Sequence, residues 1–145
     1  MKQNAIIDSG VLVALLNKND TYHHWAVGQL KNIRPPLLTC EAVISETSFL
    51  IGRKQHGLGV IFGYLQSGII SIPFSFANEY AAVETLMRKY SDVPMSFADA
   101  CLVRISEHYR DSCIFTLDSD FLVYRKNGNE LVSLIYPDNG AKLIP

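Results

Sequence analysis

Five short apolar runs, separated by longer segments of helical periodicity, constrain the fold more than any other feature of the sequence. The runs cover residues 5–7, 37–40, 69–72, 113–116 and 131–135, each of strand length. Between them, residues 11–16, 22–33, 41–54, 58–66, 78–90 and 97–109 read as helices. Pro35-Pro36 closes the second of these, and Gly59 and Gly63 weaken the fourth. Strands alternating with helices predict an α/β fold whose mainly parallel sheet is covered on both faces. Some strands are separated by two helices, so the crossovers are longer than the minimum. Strand order does not follow from the pattern.

The 145 residues suit one domain spanning the whole chain, and a hydrophobic content of 48% against 19% charged excludes a disordered or linker protein. A formal net charge of -1 provides no strong field for a polyanion. A nucleic-acid partner would therefore need local basic patches or bound cations. No apolar run is long enough to cross a membrane, and residues 1–7 lack an apolar signal region. Cys40, Cys101 and Cys113 are odd in number and scattered, which suits buried thiols in the reducing cytoplasm rather than a disulfide framework.

Four carboxylates fall where the expected fold could gather them. Asp8 and Asp118 each follow an apolar strand and precede a helical segment. In a parallel sheet the carboxyl ends of all strands open on one edge, where ligand crevices lie. Asp99 stands in the first turn of a helix, which reaches the same edge. Glu46, three residues after Val43 and four before Leu50, shares their helix face and is expected to point inward. Taken singly, Asp8 and Asp118 also suit helix N-caps, and Ser96 with Asp99 fits a capping box. Capping does not explain an acid on an inward face. Acids held within a few ångströms repel by about 1 kcal/mol per pair in water and about 4 kcal/mol at intermediate dielectric. Such a cluster persists by binding a cation or keeping protons, and all-oxygen ligands favour Mg2+ or Mn2+ over zinc.

These residues also carry a family resemblance. The stretch from Ala5 to Leu15, centred on Asp8, resembles the opening motif of PIN domains. Residues 37–46, ending in Glu46, resemble the second motif, and Ser96-Phe97-Ala98-Asp99-Ala100 resembles the third. Phe115-Thr116-Leu117-Asp118-Ser119-Asp120 resembles the fourth. The ordered set spans nearly the whole chain and is far more specific than any one motif. The resemblance implies a three-layer α/β/α fold with a five-stranded parallel sheet and metal-dependent cleavage of RNA. It points to the VapC-like toxins, which a small antitoxin protein holds inactive. Carried over residue by residue, Asp8, Glu46, Asp99 and Asp118 form the catalytic and metal-binding site, and Asp120 is a candidate fifth member. Ser9 and Thr116 would orient the acids through their hydroxyls.

Other readings compete. Asp118-Ser119-Asp120 resembles the signature of phosphatases with an aspartyl nucleophile, although Leu122 departs from it. A non-catalytic RNA- or protein-binding module would use the same acids only as caps. Arg53, Lys54, Arg88, Lys89, Arg104 and Lys126 are candidate substrate contacts. His23 and His24 are adjacent and so poor co-ligands, and Gly57-Leu58-Gly59 lacks the Gly-Lys-Ser/Thr of a phosphate loop. Phe74, Phe76, Tyr80 and Tyr90 suit core packing or, alternatively, a groove or homodimer surface.

Overall fold

A computed structural model of the protein describes residues 4–52 and 57–137. The elements are β1 (Ala5–Ile7), α1 (Ser9–Leu16), α2 (His23–Leu30), β2 (Leu37–Leu38), α3 (Glu41–Ile51), α4 (Gly57–Ser67) and β3 (Ile70–Ser71). They continue with α5 (Phe76–Lys89), α6 (Phe97–His108), β4 (Cys113–Phe115), a 3-10 turn (Ser119–Leu122), β5 (Arg125–Lys126), β6 (Glu130–Leu131) and β7 (Leu134–Ile135).

Five strands form one sheet in the order β3-β2-β1-β4-β7, and every pairing is parallel. Helices flank it to give the expected α/β fold in three layers. The central strands β1 and β4 are buried along their whole length, with Ile6 opposite Ile114 and Ile7 opposite Phe115. That burial explains why they read as continuous apolar runs rather than alternating ones. Trp25 from α2 stands edge-on to Phe115, ring centroids 5.5 Å apart. His23 Nδ1 lies 2.7 Å from the Ala14 carbonyl, which ties the start of α2 to α1.

The last apolar run behaves differently from a single strand. Leu131 leaves the sheet to pair with Arg125 in an antiparallel hairpin, and only Leu134–Ile135 joins β4. The hairpin turns at Asn127 (φ 49°) and Gly128 (φ 87°). Asn and Gly are the residues that tolerate positive φ, so the reversal falls there.

All five parallel strands deliver their carboxyl ends to one edge. Asp8 follows β1 directly, its amide donating to the Phe115 carbonyl at 3.0 Å. Thr116 follows β4, its amide donating to the Ile135 carbonyl at 3.0 Å. Helix α6 packs against β1 and β4 and brings its first turn to this edge.

Candidate metal centre

Each acid at this edge owes its position to local backbone chemistry. Asp8 is the N-cap of α1, with Oδ1 accepting from the Ser9 amide at 2.8 Å. Ser96 caps α6 through Oγ, which accepts from the Asp99 amide at 3.0 Å and sets Asp99 in the first turn. Asp118 caps the 3-10 turn, accepting from the Asp120 amide at 2.9 Å. Capping therefore describes these residues correctly, yet it uses only part of each carboxylate's acceptor capacity.

Two hydroxyls join the pieces. Thr116 Oγ1 donates to Asp8 Oδ2 at 2.7 Å and accepts from the Asp118 amide at 2.9 Å, so one fully buried threonine couples the ends of β1 and β4. Ser9 Oγ donates to Glu46 Oε1 at 2.6 Å.

Among the described residues Asp99, Asp118 and Asp120 form a group in which one carboxylate oxygen from each lies within 4.8 Å of the others. Asp8 is close enough to this trio to feel the charges of Asp99 and Asp118. Glu46 is not part of the trio and reaches the centre through Ser9. Its inward orientation, expected from the spacing, is corrected by the structure: Glu46 is exposed, and Leu50 on the same face is 56% exposed. The buried stripe of α3 is Val43 and Thr47 instead. Thr47 is fully buried because its hydroxyl donates to the Val43 carbonyl of its own helix at 2.7 Å. Tyr124 was not singled out by any sequence motif, yet it is buried beside the site and its hydroxyl donates to Asp99 Oδ2 at 2.8 Å.

Among the described residues, no Lys, Arg or His forms an ion pair with these acids. The ion pairs among the described residues are Arg88–Glu84, Arg104–Glu79 and Arg104–Glu107, and His108 Nε2 lies 2.9 Å from Glu79, all outside the cluster. Lys89 and Lys126 donate to the carbonyls of Gly128 and Arg110. Of the basic residues proposed as substrate contacts, Arg88, Lys89, Arg104 and Lys126 are thus engaged within the chain, and Arg53 and Lys54 lie outside the described residues. Burial pushes the Asp8 carboxyl up to about 6, against the lowering effect of Thr116 and Ser9, and the charges of Asp99 and Asp118 add to the rise. Burial likewise raises Asp99 and Asp120, with the Asp118 charge adding in each case.

Hard oxygen donors from three elements, crowded together and without an ion pair among the described residues, fit a divalent cation such as Mg2+ or Mn2+. A cation would relieve both the repulsion and the burial cost that hold the carboxyls of Asp8, Asp99 and Asp120 above their ordinary range.

The sign of the pH dependence follows. A buried acid whose pKa is raised from 3.8 to about 6 holds its proton more tightly folded than unfolded. Protonation then favours the fold, and that stability is lost as pH rises through the interval. Glu79, held low by Arg104, acts in the opposite sense but only below its ordinary value of 4.5. Metal-free protein in a chelator is therefore expected to be about 1 kcal/mol less stable at pH 7 than at pH 5 in urea unfolding. Stability that rises over that range would contradict the burial of Asp8 as an ionised group.

The fold defines a three-layer α/β protein with an acidic centre at the carboxyl edge of a parallel sheet. The family model of the PIN domain matches residues 5–127, and the chain belongs to that family. PIN domains are generally metal-dependent nucleases, acting on nucleic acid. No curated protein gives a significant match to the chain.

Proposed function

We propose that the protein is a metal-dependent endoribonuclease that hydrolyses RNA phosphodiester bonds, using Mg2+ or Mn2+. The observation that carries this reading is the trio of Asp99, Asp118 and Asp120 beside buried Asp8, with no ion pair to them among the described residues. In this reading Asp8, Asp99, Asp118 and Asp120 hold the ion, and Glu46 acts at the rim, fixed by Ser9. A bound divalent cation supplies Lewis-acid chemistry, stabilising charge on the phosphate and lowering the pKa of water. Thr116 and Ser9 hold Asp8 and Glu46 in place, so the carboxylates need no reorganisation when substrate arrives. Hydrolysis forms one P–O bond from water, breaks the ester P–O bond and returns a proton to the departing sugar oxygen.

The role we assign is that of the toxin in a toxin–antitoxin pair in the cytoplasm, held inactive by a small protein. Support comes from the motif resemblance and from exposed apolar side chains that a protein partner or a second copy could cover. Phe49, Phe62, Phe76, Tyr80 and Phe97 are 84%, 57%, 44%, 61% and 43% exposed. The cytoplasmic location accords with the buried positions of Cys40, Cys101 and Cys113; among the described residues no helix is long and apolar enough to cross a membrane.

The test is cleavage of a 5′-labelled single-stranded RNA. Cleavage that needs Mg2+ or Mn2+ and stops in chelator is expected. Undiminished cleavage in chelator, or none with any divalent ion, would refute the reading. An acyl-phosphate trapped on Asp118 would favour the phosphatase instead.

A further inference from the structure

Tyr124 lies just beyond the 3-10 turn that carries Asp118 and Asp120, and its side chain is fully buried. Its ring stands edge-on to Phe121 and close to Tyr90, with centroids 5.1 Å away in both cases. The backbone beside it is fixed twice. The Arg125 amide donates to the Tyr90 hydroxyl at 2.8 Å. Arg125 Nη1 donates to the carbonyls of Leu122, Val123 and Tyr124 at 3.1, 2.9 and 3.0 Å. A phenol caged this way has little freedom of aim, and a buried tyrosine hydroxyl requires a partner. Any backbone carbonyl would satisfy that need. The partner is instead Asp99, the buried member of the acidic trio, 25 residues away on α6.

We infer that Tyr124 is a positioning residue for Asp99: its hydroxyl holds that carboxylate in the orientation at which it meets Asp118 and Asp120. The inference rests on the nuclease reading, in which those acids hold a divalent ion. The hydrogen bond takes one acceptor site of Asp99 and leaves the others for the ion. It also links the turn bearing Asp118 and Asp120 to the helix bearing Asp99, so the three donors move as one unit. Partners of this kind set the affinity of a site for its metal by about 10- to 100-fold.

Tyr124→Phe keeps the ring and its packing and removes only the donor. Tyr90→Phe is the control, since it disturbs the same cage without touching an acid. Mn2+ titrated calorimetrically into chelator-stripped protein is expected to bind Y124F at least tenfold more weakly than the unaltered protein. Binding to Y90F is expected to stay within twofold. Circular dichroism of the metal-free variants verifies that each is folded. RNA cleavage by Y124F is expected to recover as Mn2+ is raised, which damage to the fold would not allow. Y124F affinity within twofold of the unaltered protein, or an equal loss in Y90F, overturns the inference while leaving the nuclease reading standing. An unaltered protein that takes up no Mn2+ overturns both.

Discussion

Asp99→Asn is expected to lower metal-dependent RNA cleavage by at least about 10²–10³-fold while leaving the metal-free protein folded and raising its melting temperature. The two effects have one origin. Asp99 is buried, its carboxyl is held above the ordinary range by that burial, and the Asp118 charge adds to the cost of ionising it. Asparagine has nearly the same shape, keeps an oxygen to accept from Tyr124, and carries no charge. It therefore removes a repulsion from the folded protein and a ligand from the ion. Sites built for function commonly carry such a stability cost. Cleavage of labelled RNA in Mn2+ and melting in chelator measure the two effects on one preparation. Retained cleavage would remove Asp99 from the site, and a sharp fall in melting temperature would mean that the acid is structural.

Phe115→Ala is expected to cost about 3–5 kcal/mol, the largest stability loss of any substitution considered. Phe115 is fully buried in β4, a strand with neighbours on both sides, and its ring is packed edge-on against Trp25 of α2. Truncation leaves a cavity between the sheet and that helix which the rigid strand cannot close. Against a typical total of about 5–15 kcal/mol, the loss would bring the protein close to unfolding at physiological temperature. Urea unfolding is expected to show a lowered midpoint with an unchanged slope. A loss under about 1 kcal/mol would mean that α2 does not cover this face of the sheet.

The architecture was legible because its signals are local. The runs around Ile6 and Ile114 are apolar without alternation, as strands buried on both faces must be, and helical spacing marks the segments between them. Strand order was not legible, since no side-chain pattern in β1 distinguishes β2 or β4 as its neighbour. The reversal at Asn127-Gly128 lies outside the apolar run of residues 131–135, and apolar character alone does not separate Leu131 from Leu134–Ile135. The acids at strand and helix ends were legible for a similar reason: Asp8, Asp99 and Asp118 sit where a chain must change direction, next to residues that announce the change. The expected orientation of Glu46 fails because the buried face of its helix runs through Thr47 rather than Leu50. A threonine that satisfies its own helix carbonyl can take an inward place, while leucine can be left outside. Tyr124 left no local signal at all. Its partner lies 25 residues away, and only the packing of Phe121 and Tyr90 aims it.

A nuclease of this kind requires a divalent ion held among the aspartates at the carboxyl edge of the sheet. Anomalous diffraction from crystals grown in Mn2+ would locate that ion directly. A peak bounded by Asp99, Asp118 and Asp120, with Asp8 adjacent, is the expected result. Ordered carboxylates in those positions with no peak among them, at Mn2+ concentrations that support cleavage, would contradict it.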